Sequence, residues 1–122
     1  MTSHTEALTG GPLRAAISDE ISHLLRRHAG QGPTQARTYL QDALIVCLLQ
    51  DTLTTGEQTL ATNGHEANVL DTRGLFQGAM RDELVEAVER LSGHKVIAFM
   101  SQNHIDPDLA AELFVLEPNP SA

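Results

Sequence analysis

The sequence predicts an α+β two-layer sandwich: a four-stranded, mainly antiparallel sheet assembled from two helix–hairpin units, with the helices on one face. Three observations lead there. The apolar patterns run in the order helix, hairpin, short helix, long helix, hairpin. A glycine, first Gly30 and then Gly93, stands at the matching joint of each unit, where a helix ends and a hairpin begins. Finally, one helix and two strands cannot bury their own apolar surface, so the two units must share a sheet.

The first helix starts at Pro12, which suits a first helical turn. Leu13, Ile17, Ile21, Leu24, Leu25 and His28 follow at helical spacing and form one stripe. Residues 1–11 precede it as a disordered lead; they lack the basic and apolar regions of a signal peptide. Residues 34–41 alternate, with Ala36, Thr38 and Leu40 on one face and Arg37, Tyr39 and Gln41 on the other. Asp42 marks a tight turn. Residues 43–49 are apolar on both faces, the pattern of a central strand covered on both sides. If Leu44, Val46 and Leu48 meet the helices, then Ile45, Cys47 and Leu49 need another cover, and a two-fold homodimer would supply it.

Thr54 and Glu57 form a capping box, so a short helix starts there and stops at Asn63-Gly64. The longest element covers about residues 66–91, with Val69, Phe76, Met80, Leu84, Ala87 and Leu91 in one stripe closed by Ser92-Gly93. Residues 95–100 read as a strand, residues 101–108 as a polar turn around Asp106-Pro107-Asp108, and residues 109–116 as the last strand. Residues 118–122 form a disordered tail, which leaves one domain over residues 12–117.

Composition excludes several function classes. Acids outnumber bases 16 to 8, giving a net charge of −8, and the bases are scattered. Nothing forms a footprint for nucleic acid or anionic lipid. The absence of an 18-residue apolar run argues against membrane insertion. The single cysteine, Cys47, sits in an apolar run as a small buried hydrophobe, which fits a reducing, cytoplasmic setting.

No motif carries chemistry. The chain has no G-x-S-x-G and no phosphate-binding loop; Gly30-Gln31-Gly32 lacks a third glycine and precedes a strand. No cofactor or catalytic residue is expected, and the protein reads as non-enzymatic. His104, Asp106 and Asp108 alternate, but around Pro107 they read as turn residues rather than metal ligands. The remaining histidines lack ligand spacing. Asp82, Glu83, Glu86 and Glu89 read as the solvated face of the long helix.

Arg73 is the exception. It falls inside the apolar stripe of its helix, and a guanidinium there requires a partner. Either an internal carboxylate, Asp42 or Glu57, neutralises it, or Arg73 joins Arg37 and Tyr39 in a pocket for a small anion.

An ordered set of short features resembles the MpsC-like family: Gly32-Pro33, Leu53-Thr54 with Glu57 and Leu60, Arg73 and Arg81, Gly93 before Val96, and Asp106-Pro107-Asp108 through Phe114-Val115-Leu116. The resemblance spans residues 13–117. It implies a small bacterial domain associated with a sodium-translocating, membrane-potential-generating system. The expected function is that of an accessory or regulatory protein of a membrane cation or inorganic-carbon system, with a membrane-protein partner. The alternative is a small-anion or metabolite sensor.

Overall fold

The computed structural model describes residues 7–118. Its elements are α1 (Gly10–Ala29), β1 (Gln35–Gln41), β2 (Leu44–Gln50), α2 (Thr55–Thr62), α3 (Glu66–Ser92), β3 (Val96–His104) and β4 (Leu109–Leu116). The four strands form one antiparallel sheet in the order β1-β2-β4-β3. The two hairpins therefore meet through their second strands. The apolar run after Asp42 lies in the centre of the sheet, as its two-sided pattern predicts.

Each unit is closed by the same device. Gly30 and Gly93 adopt left-handed φ values of 81° and 73°, and their N–H groups donate to the Arg26 and Glu89 carbonyls. This conformation strains a residue with a Cβ. At Gly93 the space is closed as well, because a Cβ would fall 2.6 Å from that of Ala7.

The helices cover one face of the sheet. Leu13, Ile17, Ile21, Leu24 and Leu25 of α1 and Met80, Leu84 and Val88 of α3 pack onto Ile45, Cys47, Leu49, Phe114 and their neighbours. Phe99 and Phe114 make the one aromatic pair among the described residues, with ring centroids 5.2 Å apart. The face assignment of β2 is thus the reverse of the one entertained above: Ile45, Cys47 and Leu49 meet the helices, and Leu44, Val46 and Leu48 line the uncovered face. Their register decides this, since Ile45 pairs with buried Phe114 and Leu49 with buried Ala110.

Other boundaries differ for identifiable reasons. α1 begins at Gly10, and Leu8 N–H bonds to the Leu91 carbonyl, so the expected lead is part of the structure from residue 7 onward. The rest of that lead, residues 1–6, and tail residues 119–122 lie outside the described residues. β3 runs on to His104 through residues expected to be a turn. His28 is not in the core; it and Arg27 contact Glu83 on α3. Glu89 accepts from the Val96 N–H at 2.9 Å, so the acidic face of α3 is partly structural. No helix among the described residues is long and apolar enough to cross a membrane.

The linker between β2 and α2 is pinned from a distance. Asp108 accepts from the backbone N–H groups of Thr52 and Leu53 at 3.1 and 3.0 Å. The capping box then forms as its sequence indicates: Thr54 Oγ1 accepts from Glu57 N–H, and Glu57 Oε1 accepts from Thr54 N–H. Thr54→Ala is expected to destabilise the fold by about 0.5–2 kcal/mol in thermal or denaturant unfolding.

Candidate functional site

The centre of the interface between α3 and the sheet is polar. Arg73 is 1% exposed, and Gln77, one turn further along α3, is 4% exposed. The residue beneath them is Glu112 of β4, 2% exposed. In the sheet register Glu112 stands between Cys47 on β2 and Ser101 on β3, and Cys47 stands beside Thr38 on β1. A polar row, Thr38, Cys47, Glu112 and Ser101, therefore crosses the whole sheet under the helices.

Glu112 is well supplied with donors. Ser101 Oγ lies 2.7 and 2.9 Å from its two oxygens, and Gln77 Nε2 donates to it at 3.0 Å. Gln77 and Asn103 exchange amide hydrogen bonds at 2.7 and 3.0 Å. At the far end of the row, Thr38 shares a 2.7 Å hydrogen bond with Ser18 of α1. Burial pushes the Glu112 carboxyl up to about 7, against the opposing pull of Ser101, Gln77 and Arg73. Burial likewise raises the Cys47 thiol to about 11, so it stays protonated and inert as expected.

Arg73 has the internal partner that sequence pointed to, and it is Glu57 rather than Asp42. Glu57 Oε1 lies 3.5 Å from Arg73 Nη1 while also holding the α2 cap. Glu112 lies close enough for its charge, when ionised, to interact favourably with Arg73. Even so, the Nε and Nη1 of Arg73 have no hydrogen-bond partner among the described residues.

The structure does not bring Arg37 and Tyr39 to Arg73. They project from β1 on the uncovered side of the sheet, opposite buried Thr38, and Tyr39 is 51% exposed. Gln35 shares their face, and its amide oxygen, oriented to satisfy both groups, accepts from the Arg37 guanidinium at 2.8 and 2.9 Å. Three surface grooves have volumes of about 680, 630 and 540 Å³, and Arg73 lines none of them. Around Pro107 the turn forms as read: Asp108 is occupied by backbone donors, and His104 Nδ1 donates to the Pro107 carbonyl at 2.8 Å.

Sequence reasoning found Arg73 and Glu57 but missed Gln77, Ser101, Asn103 and Glu112. The signals were present. Gln77 lies four residues after Arg73, Ser101 and Asn103 alternate, and Glu112 is in phase with Ala110, Phe114 and Leu116.

The fold and its buried row define a small α+β domain in which one antiparallel sheet carries its helices on a single face. The chain belongs to the MpsC family, described as "Na+-translocating membrane potential-generating system (MpsC)", whose match covers residues 9–118. No curated protein and no solved structure matches it.

The buried carboxyl makes stability depend on pH. Folded Glu112 keeps its proton to about pH 7, against an ordinary value of 4.5. Folding therefore takes up a proton between these values. Stability is greatest below that window, falls as pH rises through it, and levels off above it, by at most roughly 3 kcal/mol. Glu112→Gln should remove that slope in denaturant titrations run across the same pH range.

Proposed function

We propose that the chain is a non-enzymatic accessory or regulatory protein of a membrane cation or inorganic-carbon system, acting from the cytoplasm as a homodimer. The description of its family, which names a Na+-translocating membrane potential-generating system, supports this reading. The observation that carries the reading is the uncovered face of the sheet. Leu44, Val46 and Leu48 of β2 and Leu113 and Val115 of β4 form its centre, with Tyr39 and Met100, each 51% exposed, to either side. The strand positions on that face include no Asp or Glu, although the chain has 16 of them. An apolar, acid-free surface on so acidic a protein is suited to docking another protein.

The test is co-purification from detergent-solubilised membranes of cells expressing a tagged chain. An integral membrane protein of cation or inorganic-carbon uptake should accompany the wild type and be lost with Leu113→Glu, while circular dichroism shows the variant folded. Its absence, or its retention by the variant, would count against the proposal, as would substrate turnover abolished by a point change.

A second reading, a small-anion sensor, is favoured by Nε and Nη1 of Arg73, which have no hydrogen-bond partner among the described residues. The ion pair with Glu57 and the absence of a groove at Arg73 among those described weigh against it. Phosphate, sulfate and bicarbonate are therefore expected to raise the melting temperature of the wild type by no more than they raise that of Arg73→Met at matched ionic strength. A rise specific to the wild type would put the sensor reading first, because a ligand that binds only the folded state stabilises it. Arg73→Met itself should cost roughly 3–5 kcal/mol, because it leaves acids buried without their cation.

A further inference from the structure

The two outer strands of the sheet are not equivalent. β3 carries a register irregularity between Val96 and Ala98, a device that blunts an edge against further pairing. β1 pairs with β2 over all seven residues without interruption, and it contains no proline or lysine. Among the described residues no strand pairs with its other side, which is an edge of the sheet. Beside that edge runs a groove of about 680 Å³, walled on the helix side by Arg14, Ala15, Ser18 and Asp19 of α1.

The sequence of β1 is chemically self-complementary. When Gln35–Gln41 is laid antiparallel against a second copy about a two-fold axis at Thr38, Gln35 meets Gln41, Ala36 meets Leu40, Arg37 meets Tyr39 and Thr38 meets its own copy. The two apolar residues pair on the helix-covered side. On the other side each Arg37 guanidinium lies against a Tyr39 ring, a favourable cation–π arrangement that occurs twice. No like charges oppose one another. A two-fold axis at Arg37 would instead oppose two arginines. One at Tyr39 would leave Gln35 and Ala36 without partners in the strand.

We propose that β1 is the homodimer interface, pairing edge to edge with β1 of a second copy to make one continuous eight-stranded sheet. This rests on the homodimer reading above and specifies its site. The two α1 helices then lie side by side on the same face. The groove walls they bring together are short-chained except for one cation and one anion, Arg14 and Asp19, so no run of like charge is opposed. A seven-residue edge backed by a helix layer offers a strip on the order of 400–500 Å² per protomer, at the small end of specific interfaces. The arrangement leaves the apolar sheet face free for a different partner, and it gives the exposed pair Arg37 and Tyr39 a joint role that neither has within one chain.

The test is sedimentation equilibrium of the full chain and three variants at micromolar concentration, with circular dichroism as the check on folding. Tyr39→Arg places a guanidinium opposite each Arg37 and should weaken the dimer about tenfold or more. Arg37→Glu combined with Tyr39→Arg restores opposite charges in this register and should restore the dimer. Leu113→Glu, on the sheet face, should leave it intact. A monomeric wild type would overturn both the homodimer reading and this interface. A dimeric wild type would keep the homodimer but overturn the β1 edge if Tyr39→Arg has no effect, if the double variant is not restored, or if Leu113→Glu dissociates it.

Discussion

A guanidinium that cannot reach water constrains everything placed around it. Arg73 sits on the core side of α3, and the protein sets a carboxyl group on each of two sides of it. Glu57 approaches from α2, which is fixed by a capping box at its first turn. Glu112 rises from the sheet, and its own burial is tolerable because Ser101 and Gln77 donate to it. The position of α2, the length of β3 and the polar row across the sheet are all consistent with one requirement: a buried cation needs carboxylates, and buried carboxylates need donors.

That requirement also explains what could be read from residues alone. Elements set by local chemistry were legible: the glycine joints at Gly30 and Gly93, the capping box at Thr54, and the last strand, found at Leu109–Leu116. The central place of β2 followed from its continuous apolar run, although the side carrying Leu44, Val46 and Leu48 is left without helices over it. The terminal half of β3 was not legible, because Ser101, Gln102 and Asn103 have the composition of a turn. They belong to a strand because Ser101 and Asn103 face Glu112 and Gln77, and those partners lie far off in the chain. Which face of β2 meets the helices was unreadable for a related reason. A strand apolar on both sides holds no internal clue to its orientation; its register with Ala110 and Phe114 supplies it.

The candidate site divides in the same way. Arg73 was visible because it broke a pattern, and Glu57 because it belonged to one. Glu112 was masked by its neighbours: it is in phase with Ala110, Phe114 and Leu116, but Ala111 and Leu113 on the other side are apolar too, so the alternation that marks it as inward is weak. Arg37 and Tyr39 share a face of β1, as alternation requires, yet Arg73 lies on the other side of the sheet. Proximity across a sheet is a tertiary fact, and periodicity within one strand does not contain it.

Asp108 carries a consequence for the halves of the chain. It belongs to the second hairpin, yet it holds the backbone of Thr52 and Leu53, just ahead of the helix that brings Glu57 to Arg73. The counter-ion of an arginine in the second unit is thus presented by the linker between the units, and that linker is moored by the second unit's last turn. The repeat-like architecture is therefore not modular. Neither helix–hairpin piece could be excised, swapped or inherited alone with its charges balanced, and a tandem ancestry, if the chain has one, would have been sealed by this crossed tether into a single inseparable body.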